Sequence, residues 1–127
     1  MKYGYTKKVD LSFVDAIEAT KEALTKEGFG VLTEIDVKAT LRKKLDVHHD
    51  NYMILGACNP KLAHTALQAE KEIGLLLPCN VIVYEDDAGV HVSAIVPSVA
   101  MSMVDNEKLP AIAETVEAKL KNVIDAL

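Results

Sequence analysis

Two strand-forming runs separated by a short turn constrain the fold of this chain more than any other feature. Residues 81–84 read Val-Ile-Val-Tyr and residues 90–95 read Val-His-Val-Ser-Ala-Ile, which are compositions typical of β-strands. Between them, the Asp-Asp-Ala-Gly sequence of residues 86–89 has the chemistry of a hairpin loop. Strands joined this closely pair antiparallel, so we expect an antiparallel sheet around this hairpin.

Strand and helix patterns alternate through the rest of the chain. Residues 3–9, 31–35 and 52–55 predict three further strands, and residues 12–28, 36–45, 59–74 and 105–127 predict helices. Ser12, Asp36 and Asn59 are suitable N-caps, whereas Gly28 and Gly74 are suitable helix ends. A hairpin among strands that are separated by helices favours an α+β fold with the helices packed on one face of the sheet.

Charge and hydropathy exclude several classes of function. The chain has 127 residues, which fit a single domain over residues 1–127, and its net charge of -5 speaks against nucleic acid as a partner. The longest apolar run, residues 73–84, is interrupted by Pro78 and Asn80 and is too short to cross a membrane. The N-terminal residues lack the apolar core of a signal peptide. We therefore expect a cytoplasmic protein with free thiols and no membrane contact.

Two stretches resemble a known family. One is residues 28–38; the other runs from residue 54 to residue 81 and contains the Gly-Ala-Cys-Asn-Pro and Leu-Leu-Pro-Cys-Asn sequences. Together they are similar to the family called domain of unknown function 302. This resemblance implies a β-α-β(4)-α fold with a mostly antiparallel five-stranded sheet, and it implies homodimers. The helices predicted over residues 36–45 and 59–74 are additions to that fold. The resemblance implies no activity.

Cys58 is the most informative candidate site residue. It lies where a predicted strand ends and a helix begins, directly before the Asn59 cap. The first turn of a helix carries unpaired N–H groups and a partial positive charge, which favour a thiolate or a bound anion. The alternative is that Cys58 is a small buried hydrophobic residue under the helix.

A second Cys-Asn pair, Cys79 and Asn80, lies at the start of another predicted strand. If the two strands are neighbours, the thiols of Cys58 and Cys79 meet at one end of the sheet, where they can exchange a disulfide, carry a persulfide or help to bind a soft metal. Two cysteines alone are an incomplete zinc site, so no metal site is predicted. The alternative is a pair of unrelated buried cysteines.

Two other side-chain types bear on the site. His64 lies on the second turn of the helix that Asn59 begins, where it can approach Cys58 as a base. Its alternative is an exposed helical histidine. Met101 and Met103 lie between the last strand and the last helix, and they either fill the core or line an adaptable apolar pocket or dimer contact.

Three functional hypotheses follow. The first is a homodimer without enzymatic activity that binds a small ligand, anionic or neutral, beside Cys58, Asn59, Cys79 and Asn80. The second is a thiol-dependent enzyme or sulfur carrier that uses Cys58, Cys79 and His64. The third is a structural protein-interaction domain in which both cysteines are core residues. The sequence names no cofactor.

Overall fold

Five strands and five α-helices form the computed structural model, which describes residues 2–127. The strands are Gly4–Val9 (β1), Gly30–Asp36 (β2), Tyr52–Cys58 (β3), Cys79–Asp86 (β4) and Gly89–Ile95 (β5). The helices are Phe13–Lys26 (α1), Val37–Leu45 (α2), Pro60–Ala69 (α3), Pro97–Ala100 (α4) and Leu109–Asp125 (α5). Single 3-10 helices follow α3 at Lys71–Leu76 and α4 at Met101–Met103.

The strands form one sheet in the order β1-β5-β4-β3-β2, and every neighbouring pair is antiparallel. Asp86 lies opposite Gly89 at the tight turn between β4 and β5, and the positive φ of Gly89, 131°, is a conformation that side chains disfavour. The predicted hairpin and the predicted α+β fold are therefore confirmed. None of the helices in residues 2–127 is both long enough and apolar enough to span a bilayer.

The main apolar core lies between the sheet and the two long helices α1 and α5. Alternate residues of β4 and β5 point into it, because side chains along a strand alternate between the two faces of a sheet. The polar Thr20 of α1 is also completely buried, and its hydroxyl donates to the carbonyl of Ala16 at 2.6 Å. No buried side-chain N or O atom of residues 2–127 lacks a hydrogen-bond partner.

Gly28 ends α1 as predicted, by a Schellman motif. Phe29 N–H donates to the Leu24 carbonyl at 2.9 Å, and Gly28 N–H donates to the Thr25 carbonyl at 3.1 Å. Gly28 has a φ of 82°, which this motif requires and which glycine tolerates best. Phe29 and Leu24 both join the core, so the chain turns directly from α1 into β2.

Two predicted helix boundaries are wrong, and Asn106 accounts for both. The third helix ends at Ala69 and not at Gly74, because the Asn106 side chain donates to the Ala69 carbonyl at 2.7 Å and to Glu70 Oε1 at 3.1 Å. The last helix begins at Leu109 and not near residue 105. Asn106 Oδ1 accepts from the N–H of Lys108 at 3.0 Å, which forms a turn before the helix.

Candidate functional site

An apolar cavity of about 300 Å³ lies where the end of the sheet meets α3 and α5. Part of its wall comes from buried residues, and its rim includes two exposed leucines, Leu32 and Leu67. No charged side chain of residues 2–127 lines it. The buried wall residues are Phe29, Ala57, Ala66, Cys79, Met101 and Val116.

The N-terminus of α3 is fixed at the cavity by Asn59. Its side chain accepts from the N–H of Leu62 at 3.3 Å, and its carbonyl accepts from the N–H of Ala63 at 2.9 Å. Asn59 Nδ2 also reaches the carbonyl of Glu27 at 3.5 Å, which ties the start of α3 to the end of α1. The predicted cap is therefore confirmed. Pro60, the first residue of α3, has no N–H group that needs a partner.

Cys58 and Cys79 line the same cavity from neighbouring strands. Ala57 of β3 lies directly opposite Cys79 of β4, so Cys58 follows one residue beyond that pair. Cys79 is only 9% exposed, whereas Cys58 is half-buried. Burial, with a smaller contribution from the charge of Cys58, raises the pKa of the Cys79 thiol to about 11. Cys79 is therefore a neutral thiol at physiological pH.

Comparison with known proteins places this chain in a family. The sequence profile described as Domain of unknown function DUF302 matches residues 5–127. This chain belongs to the DUF302 family. A crystal structure of an uncharacterized conserved DUF302 protein from Bacillus stearothermophilus is similar, with a TM-score of 0.93, 30% sequence identity and coverage of 98% of each chain. A comparison with curated proteins finds no match.

Two other predicted site residues of this DUF302 protein, His64 and Asn80, lie outside the cavity. His64 is exposed on α3 and does not line the cavity with Cys58. Asn80 follows Cys79 on β4 and is exposed; it lines a neighbouring depression that shares Cys79 and Met101 with the cavity, but it does not line the cavity itself. Met101 forms part of the cavity wall, whereas Met103 is 75% exposed.

Most of the cavity was not visible in the sequence. Leu62 and Val116 read as ordinary apolar positions of α3 and α5, and Phe29 lies in the turn between α1 and β2. Only the tertiary packing brings them together.

In residues 2–127, no group of three or more His, Cys, Asp or Glu side chains is placed to hold a metal ion.

A second feature is the sheet face opposite α1 and α5, which we call the open face. A row of side chains crosses it through Ile35, Ile54 and Ile82, which are opposite one another on β2, β3 and β4. A row of stacked rings lies beside it: His91 on Tyr84 with ring centroids 4.9 Å apart, and Tyr84 on Tyr52 at 5.7 Å. The open face is thus apolar and aromatic over several strands.

Proposed function

We propose that this DUF302 protein binds a small, mostly apolar molecule in the cavity beside Cys58, Asn59 and Pro60. The observation that carries the proposal is the cavity itself: about 300 Å³, with buried apolar walls and an opening at partly exposed residues. Ligand sites in proteins have volumes from roughly this size upward, and most of their lining is apolar with a few polar groups. Here the polar groups are the two thiols and the Asn59 side chain.

The polarity of the ligand follows from the groups that surround the cavity. An anion buried there meets no positive side chain in residues 2–127, and burying an unpaired charge is costly. We therefore expect any polar group of the ligand to lie at the opening of the cavity or in water, and its apolar part to fill the interior.

The thiol-enzyme alternative receives less support. A resolving or attacking thiol reacts as its thiolate, and the raised pKa of Cys79 keeps that form scarce at neutral pH. His64, the proposed base, is exposed outside the cavity. Ligand binding requires neither group to ionise.

We further propose that the protein is a cytoplasmic homodimer that associates through the open face. The support is the continuous apolar row Ile35, Ile54 and Ile82, since large apolar patches commonly mark interaction sites. Both cysteines are free, which suits a reducing compartment.

The dimer is tested by sedimentation velocity. The wild type is expected as a dimer and Ile82→Lys as a monomer, with Ala118→Lys on the exposed side of α5 as the control. A wild-type monomer would contradict the dimer and favour a different protein as the partner.

The ligand site is tested by calorimetric titration with 1-octanol, a short apolar chain with one small polar group. Ala63→Phe places a ring into the cavity from α3, and Ala118→Phe adds the same ring at an exposed position of α5 that does not line it. We expect 1-octanol to bind the wild type and Ala118→Phe equally, and Ala63→Phe at least tenfold more weakly. Equal binding by both variants, or no binding to the wild type, would contradict the proposal.

A further inference from the structure

Two leucines at the rim of the cavity face both the cavity and water. Leu32 of β2 is 67% exposed and Leu67 of α3 is 43% exposed, and both line the cavity. Isolated exposed leucines are common on protein surfaces. Two of them on the rim of one apolar cavity extend its apolar surface outward to solvent.

A β-bulge puts Leu32 in this position. Val31 lies opposite Ala57 and Thr33 lies opposite Gly56, so the register shifts and Leu32 has no partner on β3. Regular alternation would send Leu32 to the sheet face opposite Val31, away from the cavity wall that Ala57 forms. Bulges commonly re-aim a side chain beside a functional site.

The interior sets the length of the chain that it can hold. A cavity of about 150 Å³ accommodates benzene, so an interior of about 300 Å³ has room for roughly 10 to 12 carbon atoms. Its wall includes the buried residues Met101 and Cys79, which are soft side chains without charge. A charged or strongly polar head group would therefore stay at the opening, where it keeps its hydration.

We propose that the ligand is a single-chain amphiphile, with an unbranched alkyl chain that enters between Leu32 and Leu67 and a polar head that remains in water. The methyl end lies toward Met101 and Cys79, and the carbons nearest the head cover the exposed surfaces of the two leucines. This inference rests on the proposed function, because it names the class of molecule that the same cavity binds. Leu32 is then a specificity-determining residue.

Straight-chain alkanoates of six to twelve carbons, titrated below their micellar concentrations, test this inference. We expect the affinity to rise about fourfold with each methylene until the interior is full. Undecanoate and adamantane-1-carboxylate have the same number of carbons and the same head group, but only the first is a flexible chain. We expect undecanoate to bind at least tenfold more tightly.

The rim is tested by Leu32→Ser, with Leu75→Ser as the matched control, because Leu75 is 84% exposed and does not line this cavity. We expect Leu32→Ser to weaken undecanoate binding five- to tenfold and Leu75→Ser to leave it unchanged, with both variants folded by circular dichroism. Equal binding of the two eleven-carbon acids, or wild-type affinity in Leu32→Ser, would overturn the inference. If 1-octanol still bound and still depended on Ala63, the proposed function would stand; if no probe bound, both would fall.

Discussion

Cys58 and Cys79 line one cavity from adjacent antiparallel strands, one half-buried near its opening and the other buried in its wall. Desolvation disfavours a thiolate, so the deeper residue stays protonated. Both residues contribute polarisable sulfur atoms to the otherwise apolar wall.

Cys79 is expected to resist alkylation in the folded protein. With a pKa of about 11 in place of 9.0, its thiolate fraction at neutral pH is about a hundredfold smaller than that of a free thiol, and burial limits access as well. Timed iodoacetamide labelling followed by peptide mass spectrometry should show Cys79 modified only after unfolding in urea. Labelling of Cys79 as fast as a small-molecule thiol in the native protein would contradict this account.

Cys58→Ser is expected to retain ligand binding. The walls of the cavity are mainly carbon atoms, and serine preserves the shape of the residue at the opening. The affinity for 1-octanol, measured by calorimetry, should stay within about threefold of the wild type, which corresponds to less than ~1 kcal/mol. Complete loss of binding in this variant, with the fold intact, would favour a covalent role for the thiol.

Gly56→Ala is expected to destabilise the protein. A Cβ atom at Gly56 would overlap Oγ1 of Thr33 and would approach Cγ of Pro78 to 2.9 Å. Crowding of this kind in a packed region costs about 1–3 kcal/mol. Urea denaturation of Gly56→Ala, Thr33→Ala and the double variant should show that Thr33→Ala recovers part of the loss. Strictly additive effects would contradict the contact.

Asp86 is expected to have a pKa below that of an ordinary aspartate. Its Oδ1 accepts a hydrogen bond from His91 Nε2 at 2.9 Å, which is the main reason that its pKa lies below 3.8, and a second bond comes from the N–H of Ala88. A lowered carboxyl pKa contributes stability above pH 3.8, and this contribution disappears as the pH falls through the folded-state pKa.

The variant His91→Phe tests this assignment, because phenylalanine keeps a ring for the stack on Tyr84 but removes the hydrogen bond. A carboxyl NMR titration should place the pKa of Asp86 closer to 3.8 in the variant than in the wild type. An unchanged pKa would show that the Ala88 N–H, and not His91, lowers it.

Much of the fold was predictable because it depends on local chemistry. The Asn59 cap with Pro60, the Asp36 cap and the Gly28 helix end are signals within a few residues, and each one is where the sequence places it. The position of Asn106 shows the limit. Its side chain bonds to Ala69 and Glu70, which are distant in sequence, so no local pattern shows where α3 ends.

The cavity was less predictable than the fold for the same reason. The sequence identified Cys58 and Cys79 from their places at strand ends, and the pairing of β3 with β4 brings them to one cavity. The remaining walls depend on how α3 and α5 pack, and the bulge at Leu32 depends on the register of β2 against β3. His64 illustrates the converse: its distance in sequence suggested that it approaches Cys58, but His64 is exposed and does not line the cavity.

The most direct test of the central claim is solution NMR of the full chain with labelled methyl groups during a titration with 1-octanol. The account predicts intermolecular NOEs from the ligand to the methyl groups of Met101 and Ala66, which line the cavity, and none to Ile54 or Ile82 on the open face. NOEs confined to the open face, or no NOEs at saturating 1-octanol, would contradict a ligand site in this cavity.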